Sequence, residues 1–472
     1  MGKYKISEFF IYRKRNLIGY TLVTLSLIGV LIFISLFLPG GITNSEIQSV
    51  LKSNSIYILD YWSMDVINLP YHLLQHTSFY FLGISIFSIK LPSLILAFLS
   101  AVGMILLLKQ WFKINIAVLT SLIAITTSQF LFIAQNGTSD ILYLFWPVWI
   151  IYVASLIPTI KKLRKFYIVI LFILATLSLY TPLSIYVIIV IAAAILIHPH
   201  LRYLIKQLSR LELIGGLIIT LTLISPLIYA IYKTPSLCLT LLGIPTTWPN
   251  IESNLSSLTT QYFNFANPGG TTMITPFFEL GSILLIALGA YFVLINRSTA
   301  KNYLLILWII LLIPIIILNP KYTTFTFLPL VLLLASGLNG LLSHWYGLFP
   351  RNPYARIGGL IPVVILVTFL VFSGVNRYVY EYRYNPNMVS NFNKDLLLIP
   401  KSAKNIVVAN KELAFYKVIS KYDKSLTIST KPISDTFLAT RDAKQSFTGY
   451  EIVRIITSSN MNNSDRLYIY KK

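Results

Sequence analysis

Residues 81–112 read FLGISIFSIKLPSLILAFLSAVGMILLLKQWF. From 91 to 111 the run holds no acid and a single cation, Lys109. About 20 apolar residues wound as helix rise about 30 Å, the thickness of a bilayer's hydrocarbon core. The stretch therefore reads as a transmembrane helix, closed at one end by Lys109 and Lys113. Runs of the same character occur at 17–38, 115–134, 139–157, 166–182, 183–198, 213–232, 277–296, 302–318, 325–347 and 359–379, so eleven spans are expected.

Composition agrees. The chain has 472 residues, 56% apolar and only 11% charged, whereas a soluble domain carries roughly a quarter charged residues. The net charge of +22 would suit a nucleic-acid partner if the cations formed one patch. Instead they fall in short clusters between the apolar runs, which excludes that partner. Cys238 is the lone cysteine, so neither an internal disulfide nor a Cys-cluster metal site is open to the chain.

The cations also set an orientation, because basic residues near span ends are retained on the cytoplasmic side. The first span follows Arg13, Lys14 and Arg15 and reads as a retained signal anchor, with a cytoplasmic N-terminus. Counting loops from there puts 18 Lys and Arg inside and four, Lys52, Lys90, Lys233 and Lys321, outside before residue 375. An odd number of spans leaves the C-terminus extracytoplasmic. The expected fold is mainly α: a polytopic transmembrane helix bundle over 1–383, with long outer loops at 40–90 and 234–276. A small extracytoplasmic α/β domain is expected over 384–472, where the apolar runs give way to strand, helix, strand, strand patterns.

Within the first loop, SEIQSVLKS (45–53) spaces Ile47, Val50 and Leu51 along one helical face, as expected of a helix lying flat on the membrane surface. LPYHLLQHTSFYFLG (69–83) reads as a second surface or re-entrant helix, since counting it as a span would invert the charge bias of every later loop.

Ionisable groups near the hydrocarbon are costly, so the scarce outer acids are the candidates for chemistry. Glu46 and Asp140 read as catalytic carboxylates converging at the outer surface. Equally, Glu46 suits a helix-capping acid and Asp140 an N-cap. Asp60 and Asp65 stand in the same loop as His72 and His76. The two histidines are four residues apart, as in many two-His sites, and with either Asp they would hold a divalent metal ion. The alternative is an interfacial aromatic belt with Tyr71, Phe79 and Tyr80. Lys321 and Tyr322, in a tight outer turn after the ninth span, suit capture of a lipid phosphate, or membrane anchoring by a snorkelling lysine. No Walker loop, dinucleotide fingerprint or paired-Cys motif is present.

Several motifs in order carry a resemblance. They are the first span ending in Pro39-Gly40, the loop with SEIQSVLKS, the proline-centred NLPYHLL, and the 81–112 stretch quoted above. NGTSDILYLFWPVWIIY, LATLSLYTPL and NPKYTTFTFLPLVLLLASGL follow. Over residues 10–375 the pattern resembles the GT-C class of polytopic glycosyltransferases, in particular the protein O-mannosyltransferases and aminoarabinose lipid A transferases. The resemblance implies transfer of a sugar from a polyprenyl-phosphate-linked donor to a protein, lipid or glycan acceptor, outside the cytoplasm and with inversion. It also implies an Asp-Glu pair in the first loop, whose Asp is the catalytic acid. Aligned on Glu46, Ser45 or Gly40 stands at that Asp, and Glu46 is the nearest surviving carboxylate. Asp140 matches the acid opening the fourth span. The family's donor-binding Lys falls on Asn68 or Leu69, which leaves Lys321 for the phosphate. Two other functions suit a polytopic chain: a transporter or flippase for lipid-linked saccharides, and a non-catalytic GT-C-like membrane scaffold.

Overall fold

The computed structural model describes residues 41–56, 65–206, 209–265, 274–349, 353–389, 391–394, 396–400, 403–457 and 466–472, with isolated positions between 17 and 32. All but those isolated positions of the expected first span, and Asp60, lie outside the described residues.

A two-residue strand, β1 (Ile42–Thr43), leads into α1 (Asn44–Asn54). The helix starts where it does because Thr43 and Glu46 close a capping box, each side chain bonded to the other's backbone N–H. Helix α2 (Leu69–Leu82) follows Asn68, whose φ of 57° is left-handed, and carries Pro70 in its first turn. Asn tolerates that conformation better than most residues. A second capping box, Ser85 with Ser88, opens α3 (Ile86–Trp111), which contains the stretch quoted above.

Helices α4 (Ile114–Thr126) and α5 (Ser128–Gln135) meet at a 60° bend. A short 3₁₀ turn, Ser139–Ile141, connects them to α6 (Leu142–Leu156). Then come α7 (Arg164–Ser178), α8 (Ser184–Ile197), α9 (Pro199–Lys206), α10 (Arg210–Lys233), α11 (Ser236–Leu242) and α12 (Ile251–Phe263). The bundle ends with α13 (Leu280–Ile295), α14 (Ala300–Leu318), a 3₁₀ turn at Pro320–Thr326, α15 (Phe327–Leu348) and α16 (Pro353–Tyr384). Among the described residues six helices are long and apolar enough to cross a bilayer, and the bent α4–α5 pair makes a seventh. Ser184–Ile197 and Leu280–Ile295 are apolar but shorter. The chain is a multi-pass membrane protein.

Helices α13 and α15 touch backbone to backbone. A Cβ on Gly289 would collide with the Leu333 carbonyl, and one on Gly337 with the Leu285 carbonyl. In lipid, where apolar side chains gain nothing by leaving a greasy solvent, such close approach is a main source of helix affinity.

After α16 and a turn of helix, α17 (Pro386–Val389), β2 (Phe392–Lys394) returns to pair antiparallel with β1. Beyond it β3 (Asn405–Val407), α18 (Leu413–Tyr422), β4 (Thr427–Ser429), β5 (Thr436–Thr440), β6 (Glu451–Thr457) and β7 (Arg466–Lys471) build a sheet of order β4-β3-β5-β7-β6. The β3–β4 and β3–β5 pairs are parallel, the other two antiparallel. Helix α18 lays Phe415, Val418 and Ile419 over Ile406, Leu438 and Leu467. That core also takes in Val50, Phe79 and Ile89 from α1, α2 and α3. Thus α1 buries its apolar face against protein rather than lying on a membrane surface, because α2 and α18 cover it.

Candidate functional site

Glu46 is 1% exposed. Its Oε2 accepts from the Thr43 N–H at 2.8 Å and the Thr43 hydroxyl at 3.2 Å. Its Oε1 accepts from the Gly137 N–H at 2.8 Å and lies 3.6 Å from Lys90 Nζ. Lys90, itself buried, donates to the Tyr382 hydroxyl at 3.1 Å. An ammonium inside an apolar helix needs such partners, since an unpaired buried charge is strongly destabilising. The lone lysine in the 81–100 run was the signal for this pairing, and reading it only as an outer cation missed it.

Around this pair a polar seam fixes the loop after α5. Gln75 donates through Nε2 to the Ile89 carbonyl at 2.9 Å and the Gly137 carbonyl at 3.3 Å. Its Oε1 accepts from the Ser49 and Ser53 hydroxyls at 2.8 and 2.6 Å. The Ser93 hydroxyl donates to the Thr138 carbonyl at 3.2 Å and lies 2.9 Å from the Tyr71 hydroxyl. Burial raises the Tyr71 phenol's pKa above its usual range, so it stays neutral. Gly137 has no side chain for a reason: a Cβ there would sit 2.8 Å from Ile89 Cγ2 and 3.2 Å from Glu46 Oε1.

Histidines 72 and 76 belong to the same seam. Ser53 gives its one proton to Gln75, so His72 must donate from Nδ1 to the Ser53 hydroxyl at 2.8 Å. The His76 Nδ1–H donates to the Ser53 carbonyl at 2.9 Å. Burial first, and the Lys52 charge second, push the His72 pKa down to about 4, against a smaller opposing pull from Asp65. Both rings bond Ser53 through Nδ1, which leaves each Nε2 as the ring's remaining acceptor, and among the described residues no group of three or more His, Cys, Asp or Glu side chains is placed to hold a metal ion. Asp65 pairs with Lys52 at 2.9 Å on the surface and caps the Ile67 N–H.

Asp140 stands three residues beyond Gly137, in the 3₁₀ turn, and is half-buried. Thr138 Oγ1 donates to it at 3.0 Å. The Asn68 side-chain amide donates to the adjacent Ser139 hydroxyl at 2.7 Å, and the Asn68 N–H donates to the Tyr180 carbonyl at 2.8 Å. Tyr143, three residues on from Asp140, meets Tyr322 edge to face with ring centroids 5.9 Å apart. The fold thus brings Tyr322 to the segment that carries Asp140, although they lie far apart in sequence. Glu46 and Asp140 act through one loop but face different surroundings: one is sealed in, the other is partly open.

Tyr322 rides on the Pro320–Thr326 turn, with Lys321 beside it exposed. Helix α12 clamps that turn. The Asn254 side chain donates to the Ile317 and Leu318 carbonyls, Thr323 donates to Gln261 Oε1 at 2.6 Å, and Tyr262 and Thr326 hydroxyls are 2.6 Å apart. Next to Tyr262 and Thr326 a groove of about 340 Å³ runs between α12, α13, α14 and α15. Its walls, among them Leu258, Phe278, Ile286, Leu312 and Ile316, are almost wholly apolar.

No family model and no curated protein sequence matches the chain. Solved structures do. ArnT from Cupriavidus metallidurans superposes in its apo state with a TM-score of 0.57 at 12% identity, over 96% of this chain and 98% of that one. The same protein bound to undecaprenyl phosphate gives 0.56 at 10% identity over the same shares. The oligosaccharyltransferase of Archaeoglobus fulgidus gives 0.51 at 12% identity, over 88% of this chain and 64% of that one. The chain has the fold of the GT-C membrane proteins to which ArnT and the archaeal oligosaccharyltransferase belong.

Proposed function

We propose that the protein is a membrane glycosyltransferase that takes its sugar from a polyprenyl-phosphate-linked donor. The observation that carries this reading is one junction: a half-buried carboxylate, Asp140, stands one helical turn before Tyr143, whose ring meets Tyr322 on the turn that also borders an apolar groove. A lipid-linked sugar needs both surroundings within a few ångströms of each other. The groove suits the first isoprene units, and the exposed ammonium of Lys321 suits the phosphate at their polar end. The full shares of ArnT covered by the superposition, one copy with undecaprenyl phosphate bound, support the same reading.

In this reading Asp140 accepts the proton of the acceptor hydroxyl as its oxygen attacks the anomeric carbon. The new C–O bond forms on one face while the bond to the phosphate oxygen breaks on the other. The configuration inverts and the polyprenyl phosphate leaves with the electron pair, stabilised by Lys321. In this reading the acceptor is a protein, lipid or glycan at the outer face, the side that the charge bias of the loops favours for this end of the bundle.

Transfer of radiolabelled sugar from a panel of polyprenyl donors, in membranes carrying the full chain, tests the proposal. Asp140→Asn is expected to lower transfer by about 10²–10⁴-fold, the usual contribution of a positioned base. Undiminished transfer in that variant removes Asp140 from the chemistry. No transfer by the wild type from any donor removes the enzymatic reading and leaves the scaffold. A flippase would be expected to break helices in both halves; among the described residues the single bent pair is α4–α5.

A further inference from the structure

We propose that Glu46 is a positioning residue and not the acid that meets the substrate, and that Glu46 with Lys90 forms a buried ion pair whose task is to hold the 136–140 loop. This deepens the glycosyltransferase reading and rests on it.

A carboxylate has about four acceptor directions. In Glu46 they are taken by the Thr43 N–H, the Thr43 hydroxyl, the Gly137 N–H and Lys90. Nothing is left to receive a proton from a substrate hydroxyl, and at 1% exposure no substrate reaches it. What Glu46 does hold is the backbone. It fixes the Gly137 N–H, Gln75 fixes the Gly137 carbonyl, and Ser93 fixes the Thr138 carbonyl. Thr138 in turn bonds Asp140. Three anchors on two successive residues leave the half-buried carboxylate little freedom, which a general base requires of its support.

The pair is also wired to the chain's far end. Lys90 donates to Tyr382 near the end of α16, Tyr382 packs edge to face on Phe392 of β2, and β2 pairs with the strand that caps Glu46. A Cβ on Gly41 would sit 2.6 Å from the Lys394 carbonyl, so that strand pair closes tightly. Loop and β1–β2 strand pair are therefore joined through one set of contacts, with Glu46 at the crossing.

The test compares Glu46→Gln, Lys90→Met and the double variant of the full chain in lipid nanodiscs, by thermal unfolding, by hydrogen exchange of the 136–140 segment, and by kcat and KM of transfer. Glu46→Gln alone leaves a buried ammonium facing a neutral amide. It is expected to lower the melting temperature, speed exchange in 136–140 at least tenfold, and lower kcat at least tenfold with donor KM little changed. The double variant is expected to recover protection and kcat to within about tenfold of wild type, because no charge remains unpaired and the Gln oxygen still accepts from Gly137. A double variant with normal melting and exchange but no transfer overturns the proposal, since the carboxylate itself would then be needed for chemistry. Unchanged exchange in Glu46→Gln overturns it as well. If that variant does not accumulate, Gly137→Ala tests the contact from the other side with Glu46 intact: faster exchange and lower kcat support the role, and a displaced loop with wild-type kcat refutes it. If the wild type transfers no sugar, the glycosyltransferase reading fails, while melting and exchange still decide whether the pair holds the loop.

Discussion

Acidification is expected to loosen the contact between α1 and α2 through one side chain, His72. In the folded chain its pKa is about 4, against an ordinary 6.5. Between those values the unfolded chain binds a proton that the folded chain refuses, so stability is complete above 6.5 and falls as the pH drops toward 4. Integrating the two titrations gives a loss of about 2 kcal/mol between pH 7 and pH 5, and about 3 kcal/mol by pH 4. Carboxylates titrate in the same range, so the measurement is a difference between wild type and His72→Asn. The Asn amide still donates to Ser53 but carries no proton to gain. Reversible unfolding in mixed detergent at pH 7, 6 and 5 is expected to show the wild type losing that amount relative to the variant. Carbon-detected NMR of labelled histidine gives the midpoint directly. Parallel pH curves for the two proteins, or a His72 midpoint near 6.5, would refute the burial argument and with it the assigned proton on Nδ1.

Three further outcomes follow from other parts of the molecule. Gly289→Ala drives a methyl into the Leu333 carbonyl and is expected to cost about 3 kcal/mol by separating α13 from α15, read as a lower melting temperature in nanodiscs. Ile316→Trp fills the apolar groove and is expected to raise KM for a long-chain polyprenyl donor at least tenfold, with a smaller change for a short-chain analogue. Lys52→Ala breaks an exposed pair with Asp65, so its stability cost stays under about 1 kcal/mol. The same change removes a charge that lowers the His72 pKa and moves that midpoint upward in the NMR titration.

The candidate site was legible in pieces. Asp140 and Tyr322 stood out as an acid and an aromatic at span ends, and the fold brings Tyr322 against Tyr143 on the helix that Asp140 precedes. Glu46 stood out as a rare acid, and its alternative as a helix cap is what the capping box displays. The histidine pair obeyed helical spacing, yet spacing says only that two rings share a face. What else that face meets, here Ser53, depends on α1, which spacing does not include. Asp65 was scarce for the same reason as Glu46, but its neighbour Lys52 draws it to the surface. Lys90 stood within the 81–112 stretch and read only as an outer cation, and Gln75 did not stand out.

Short-range physics sufficed for much of the chain. Apolar runs of helical length and strand patterns after residue 400 each depend on neighbours a few positions away, so a reader of the sequence locates them. The described residues hold six helices long enough to span, or seven with the bent pair, beside the eleven runs read. Partners are another matter. Glu46 bonds a backbone amide 91 residues on, and Lys90 a phenol 292 residues on. Such contacts exist only once helices have packed, and packing is a property of whole surfaces, many of them apolar and nearly interchangeable in composition. Periodicity tells which side of a helix is covered; only the assembled bundle decides what covers it, and therefore which of two rare acids is sealed away and which is only partly covered.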